Sequence, residues 1–262
     1  MANSFYTSPE QIVRDRSEYA RRGIARGRSV VALTCAEGIL MVAENPSKSL
    51  HKVSEIYDRI AFAAVGRYNE FENLRRAGIR YADISGYQYD RRDVSGRGLA
   101  TAFAQTLGTV FIESQKPYEV EVVVAEVGAD EEADQMYRLT YDGSVADERG
   151  FVAMGGQAEA INTHLREHHT EGATLAEAMR VALSGLAAGS AAASSATPSA
   201  GSPVNGSPLP APTAATLEVA LLDRDRPRRA FRRVVDGSLR ALVEAAGGGT
   251  DATEAPDSAS PE

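Results

Sequence analysis

The chain has little cysteine, no long apolar run and no excess of basic residues, and each shortage narrows its possible functions. A single cysteine in 262 residues cannot form an internal disulfide, so we expect a reducing compartment. No run approaches the roughly 20 apolar residues of a membrane-spanning helix, and the first residues lack the apolar stretch of a secretory signal. The 28 basic and 36 acidic residues give a net charge of −8, which argues against general nucleic-acid binding. We therefore expect a cytoplasmic protein whose partners are neither nucleic acids nor membranes.

The apolar periodicity predicts a layered α+β fold. Ser8 and Pro9 form a favourable helix start, because the hydroxyl can cap the helix and proline suits its first position. Four strand-like runs and two amphipathic helices follow; after them come further strands, two more helices, two strands and a short helix near residues 239–245. Strands in blocks and helices in pairs indicate packed layers rather than alternating βαβ units.

Composition divides the chain into one domain, residues 8–246, with an insertion and two short terminal segments. Residues 187–215 are almost entirely Ala, Ser, Gly, Pro and Thr. Because such a segment buries too little apolar surface to offset its ordering entropy, we predict a flexible insertion. Residues 247–262 are predicted to be a disordered acidic tail.

The segment "RSVVALTCAEGILMVAE", residues 28–44, predicts two strands around a tight turn, with Cys35 at their junction. No histidine lies near Cys35 in the sequence, and Glu37 would oppose formation of a thiolate. This favours a structural cysteine. An autoprocessed amidohydrolase with Cys35 or Thr34 as nucleophile stays open as the alternative, and a peptide-binding adaptor is a more remote one.

Three other motifs favour structural interpretations. His164 and His168 have the spacing of a helical metal pair, but no third ligand accompanies them. The acidic stretch "GADEEAD" is typical of a hairpin loop, and "RDRPRRAFRRVV" of a charged edge strand. We therefore expect neither a metal ion nor a cofactor.

Long stretches of the chain resemble the α-type subunit of the actinobacterial 20S proteasome. They are "SPEQIVRDRSEYARRGIARGRSVVALTCAEGILMVAENPSKSLHKVSEIYDRIAFAAVGRYNEFENLRRAG", "YADISGYQYDRRDVSGR", "AQTLGTVFIESQKPYEVEVVVAEV", "YRLTYDGSVADE" and "LEVALLDRDRPRRAFRR". The resemblance covers nearly all of the chain except the insertion and the tail. It implies the four-layer αββα sandwich of N-terminal-nucleophile hydrolases, preceded by a helix.

The resemblance also implies that catalysis has been lost. Catalytic β-type relatives begin this fold with a threonine whose own amine helps to activate its hydroxyl. Against that pattern, Arg28 stands at the position of the nucleophile, Glu44 at that of the aspartate and Glu55 at that of the lysine. We therefore expect the isolated chain to have no peptidase activity.

Further implications of the resemblance concern assembly and substrate access. Seven identical subunits would form a ring at each end of a β-subunit barrel. Unfolded proteins would be delivered by a hexameric ATPase activator that recognises chains tagged with prokaryotic ubiquitin-like protein. Lys52 would receive the C-terminal carboxylate of the activator. A pore gate would be formed by residues 1–7, in particular by Asn3, Ser4, Phe5, Tyr6 and Thr7.

Overall fold

The computed structural model describes residues 8–195 and 214–247. The predicted gate residues, residues 196–213 of the insertion and residues 248–262 of the tail lie outside these ranges. In chain order the elements are α1 (Pro9–Ala25), β1 (Val30–Cys35), β2 (Gly38–Glu44), β3 (Val53–Tyr57), β4 (Ile60–Gly66), α2 (Tyr68–Gln88), α3 (Gly96–Glu113), β5 (Val120–Glu126), β6 (Gln135–Leu139), β7 (Val145–Glu148), β8 (Phe151–Met154), α4 (Ala158–His168), α5 (Leu175–Ser195), β9 (Leu217–Asp223), β10 (Phe231–Val234) and α6 (Asp236–Ala245). Two short 3-10 turns cover Arg91–Asp93 and Ala214–Thr216.

The strands of the described residues form two five-stranded antiparallel sheets. The first has the order β10-β9-β2-β1-β8 and the second the order β3-β4-β5-β6-β7. Helices α4, α5 and α6 pack on the outer face of the first sheet, and α2 and α3 on that of the second. A third apolar core, rich in alanine and valine, fills the space between the sheets. The predicted αββα sandwich is confirmed.

Helix α1 begins where the sequence predicts. The Ser8 hydroxyl accepts a hydrogen bond from the Gln11 amide at 3.2 Å, and Pro9 is the first helical residue. At the other end of the helix, Ala20 and Ile24 join the core between the sheets. Glycine at position 23 allows the helix to approach Glu119, the residue before β5, because a Cβ there would lie 2.2 Å from Glu119 Oε1. We call the end of the sandwich at which α1 meets Glu119 the α1 end.

Residues 143–156 contain two strands that belong to different sheets. Strand β7 pairs with β6 at the edge of the second sheet, and β8 pairs with β1 in the first. Gly150 lies in the turn between them with φ of 75°, a conformation that glycine adopts without strain. The chain crosses between the sheets here, and also over residues 45–52, between β2 and β3.

Helix α5 extends further than the sequence analysis allowed. It continues to Ser195, so the prediction that a flexible insertion begins at residue 187 is wrong. The reason is that alanine, which lacks a large apolar side chain, is also the residue with the highest helix propensity. A small residue also suits the packing of α5 on α4, since a Cβ at Gly189 would lie 2.8 Å from Ile161 Cγ1. Flexibility of residues 196–213 stays a prediction.

Candidate functional site

Arg28, Glu44 and Lys52 meet at the α1 end of the sandwich. Arg28 lies just before β1, Glu44 is the last residue of β2, and Lys52 directly precedes β3. The pairing of β1 with β2 brings the first two together, and the Glu44 amide donates to the Ser29 carbonyl at 3.1 Å. The crossover of residues 45–52 then returns the chain to the same place. The fold thus gathers two cationic side chains and one carboxylate.

The Lys52 side chain turns into the fold. Its Nζ donates a hydrogen bond of 2.7 Å to the carbonyl oxygen of Arg28. Burial lowers the pKa of Lys52 to about 8, although the charges of Glu44 and Glu218 act to raise it. An ammonium has three N–H donors, and among residues 8–195 and 214–247 this one acceptor is bound, so two donors remain there for another acceptor.

Burial disfavours the charged form of Glu44 as well. It is 9% exposed, and burial raises the pKa of its carboxyl, while the positive charges of Arg28 and Lys52 oppose the rise. The surroundings therefore disfavour the charged form of both the lysine and the glutamate, and each reduces that cost for the other.

Glu55, which the resemblance places at the position of the lysine, does not lie in this cluster. Its carboxylate pairs with Arg229, at 2.6 Å from NH2 and 2.8 Å from Nε. The lysine that lies beside Arg28 and Glu44 is Lys52. The cluster therefore contains a lysine beside Arg28 and Glu44, because the crossover brings Lys52 there from a position before β3.

Residue 28 has none of the groups of an N-terminal nucleophile. Arg28 has no hydroxyl, and its nitrogen belongs to a peptide bond, since the main chain continues from α1 through Gly27. The Gly27 carbonyl accepts a hydrogen bond of 3.3 Å from the Gly156 amide, so this approach to β1 is held in place. A threonine nucleophile activated by its own amine requires both missing groups.

Sequence reasoning missed Glu218, which lies in β9 and is 7% exposed. Its carboxylate accepts hydrogen bonds from the main-chain amides of Lys52 at 2.9 Å and Val53 at 3.2 Å. The signal was present, because Glu218 is the one charged residue inside the apolar stretch "LEVALL". A charge in a buried strand needs partners, and the sequence did not reveal which ones.

Cys35 and Thr34 lie at the opposite end of β1. The Cys35 thiol is buried and donates to the Gly38 carbonyl at 3.2 Å. Burial, reinforced by the negative charge of Glu37, raises the pKa of the thiol to about 12. Thr34 Oγ1 donates to Glu131 Oε1 at 2.9 Å. His169 Nε2 lies 3.3 Å from the carbonyl oxygen of Thr34, whereas the Thr34 hydroxyl donates to a carboxylate. A thiol that is protonated at neutral pH and a hydroxyl bonded to a carboxylate do not favour either residue as a nucleophile.

The remaining motifs have structural surroundings. Residues 128–134 connect the antiparallel strands β5 and β6, so the predicted hairpin loop is confirmed. Strand β10 lies at the edge of the first sheet, which confirms the prediction for the arginine-rich segment. The rings of His164 and His168 stack with centroids 4.0 Å apart. Within residues 8–195 and 214–247, no three metal-ligating side chains converge and no helix is long and apolar enough to span a membrane.

Comparison with known proteins identifies the family. Residues 24–198 match the family described as proteasome subunit. This chain belongs to the proteasome subunit family. The proteasome subunit is 64% identical over 239 residues to "Proteasome subunit alpha" of Parafrankia sp. (strain EAN1pec), with 91% of this chain and 95% of the relative covered. Proteins of the same name from Frankia casuarinae and Geodermatophilus obscurus are 63% and 57% identical over 238 and 244 residues, covering 91% and 93% of this chain and 95% and 82% of the relatives. The proteasome subunit is accordingly of the alpha type of actinobacteria.

Proposed function

We propose that this alpha subunit is a non-catalytic component of the 20S proteasome core in the cytoplasm. Seven copies form each outer ring, bind the ring of β subunits and control the passage of unfolded proteins. A hexameric ATPase activator docks on the ring and delivers proteins tagged with prokaryotic ubiquitin-like protein. The observation that carries the proposal is the state of residue 28, which the resemblance places at the position of the catalytic threonine. It is an arginine within a continuous chain, and its carbonyl accepts a hydrogen bond from Lys52.

Lys52 is the residue that we propose for activator docking. Its ammonium has one acceptor within the described part of the chain, the Arg28 carbonyl, and so retains donors for an incoming carboxylate. The nearby carboxyl of Glu44 has a raised pKa, which reduces the competition that a second full negative charge would present. Capture of a chain end by one cation and neighbouring donors is an established mode of peptide recognition.

The first test is Lys52→Ala in particles assembled with β subunits. Loss of one partner of a desolvated ion pair typically costs about 2–5 kcal/mol, and several tails on one ring multiply the loss through avidity. We expect activator-dependent degradation of tagged proteins to be abolished while hydrolysis of small peptides persists. Normal stimulation by the activator would contradict docking at Lys52, and failure to assemble would assign the residue a structural role.

A second test concerns the proposed gate, residues 3–7. A few aromatic contacts from Phe5 and Tyr6 of each chain could close a pore and yet open at low cost. Deletion of residues 2–7 should raise the basal degradation of long peptides by the assembled particle. An unchanged rate in verified particles would exclude a gating role.

A further inference from the structure

The buried carboxylate of Glu218 lies between the two sheets, close to the start of β3. Along β9 it is on the same face as Ala220 and Leu222, which both belong to the core between the sheets. In the antiparallel pairing with β2 its neighbour is Ala43. An apolar residue would fit this face at lower cost, because replacing buried ion pairs by apolar residues is often neutral or stabilising. The position of the charge therefore calls for a specific explanation.

Donors from three parts of the chain converge on this carboxylate. Oε2 accepts from the Lys52 amide at 2.9 Å and from Asn45 Nδ2 at 2.8 Å, at the two ends of the crossover. Oε1 accepts from the Val53 amide at 3.2 Å and from the guanidinium of Arg233 in β10. His51 Nδ1 also lies 3.2 Å from Oε1.

These contacts fix the crossover from both sides. Asn45 also donates to the Leu50 carbonyl at 2.7 Å and accepts from the Ser47 amide at 3.0 Å, so the loop closes upon itself. Arg233 NH2 donates to the Val53 carbonyl at 2.8 Å, next to the amide that Glu218 binds. The main chain at residues 52 and 53 is thus held by one carboxylate and by its counter-ion.

We propose that Glu218 is the positioning residue for Lys52: it fixes the main chain from which the ammonium reaches the docking site. The proposal rests on the docking function proposed above for Lys52. Glu218 does not meet the incoming carboxylate. It acts through the lysine, by geometry and by charge.

The charge of Glu218 provides a signature that a purely structural role lacks. The charged groups that face Lys52 are Arg28 before β1, Glu44 at the end of β2 and Glu218 in β9. The side chains of Arg233 and His51 contact the carboxylate of Glu218. Since Glu218 raises the pKa of Lys52 against the effect of burial, removal of its charge should make the ammonium lose its proton at lower pH.

Two variants separate charge from geometry, in particles assembled with β subunits and supplied with the hexameric ATPase. Glu218→Gln keeps the shape and removes the charge, whereas Glu218→Asp keeps the charge and withdraws the carboxylate from the Lys52 and Val53 amides. Glu55→Gln is the matched control, because it neutralises another glutamate paired with arginine, Arg229. The readouts are the activator concentration for half-maximal degradation, its dependence on pH between 6.5 and 9.5, and small-peptide hydrolysis.

For Glu218→Gln we expect the alkaline decline of activator-dependent degradation to move to lower pH. For Glu218→Asp we expect a roughly tenfold higher half-saturating activator concentration, with the alkaline decline unmoved. Small-peptide hydrolysis should persist in both, and the control should match the unmodified particle. Normal affinity and an unmoved pH profile in both variants, with Lys52→Ala inactive toward the activator, would overturn the role of Glu218 alone. Normal stimulation of Lys52→Ala would overturn the docking proposal itself, and failure of both Glu218 variants to assemble would make Glu218 structural.

Discussion

The two ends of the sandwich use buried charges in opposite ways. At the end away from α1, Asp134 has no exposed side-chain surface and forms two hydrogen bonds of 2.9 Å with Arg224. Those bonds raise the pKa of Arg224, so its surroundings favour the charged form. At the α1 end, burial lowers the pKa of Lys52 to about 8, and the ammonium holds a neutral carbonyl instead of a carboxylate.

The comparison teaches that burial alone does not distinguish a structural charge from a functional one. Asp134 and Arg224 satisfy each other in a bidentate pair, which leaves little capacity for a ligand. Lys52 and Glu44 lie close enough to influence each other's pKa, yet the Lys52 ammonium donates its hydrogen bond to the Arg28 carbonyl. An incompletely neutralised cation of this kind is suited to accept an anion from outside.

The largest expected effect is at the end away from α1, which we call the closed end because Asp134 and Arg224 pair with each other there. Asp134→Ala leaves the Arg224 guanidinium, whose side chain is 11% exposed, without its carboxylate. Breaking such a buried pair costs about 3–5 kcal/mol of unfolding free energy, measurable by urea denaturation. The control is Asp58→Ala, which removes a bidentate partner from the exposed Arg91. Equal, small shifts for both variants would show that the closed end is not stabilised by this pair.

A second prediction uses pH to separate the two ends. Lys52 has a pKa of about 8 in the folded chain against an ordinary 10.5, so the unfolded chain binds more protons in that window and stability rises with pH. Relative to Lys52→Met, the unmodified chain should gain on the order of 1–3 kcal/mol between pH 7.5 and 10.5. Cys35 has a raised pKa, so relative to Cys35→Ala the chain should lose stability above pH 9. Urea unfolding across this pH range measures both effects. Changes in unfolding free energy with pH that have the same sign in the two comparisons would contradict this prediction.

The smallest expected effect concerns one hydrogen bond at the closed end. Thr34→Val keeps the shape of the side chain and removes the donor to Glu131, at a cost of about 1 kcal/mol. Thr101→Val is the control, since that hydroxyl donates to a carbonyl on the exposed surface of α3. Thermal unfolding should place the first variant below the second. The reverse order would mean that the Thr34 contact contributes nothing.

The layers of the fold were predictable because they depend on local patterns. The alternation in "YEVEVVVAEV" predicts β5, and the Ser8-Pro9 pair predicts the start of α1. The end of α5 was not predictable, because composition alone does not distinguish an alanine-rich helix from an alanine-rich linker.

The site was less predictable, because it depends on contacts between residues that are far apart in the chain. Lys52 reaches the Arg28 carbonyl only because the crossover returns to the start of β1, and no local pattern encodes that path. The match to the pattern of catalytic β-type relatives gave the position of the lysine to Glu55, which pairs with Arg229 instead. Likewise, the isolated charge of Glu218 signals a buried partner but does not say that the partners are main-chain amides.

The two crossovers have a mechanical consequence. Residues 45–52 join the sheets at the α1 end, and the turn at Gly150 joins them at the other, where the Thr34 amide donates to the Gly150 carbonyl at 2.7 Å. The sheets are therefore connected by the main chain at both ends of the sandwich. A force applied near Lys52 therefore reaches both sheets at once. Lys52 precedes β3 of the second sheet, and its amide is bound by Glu218 of the first, so both sheets share the load.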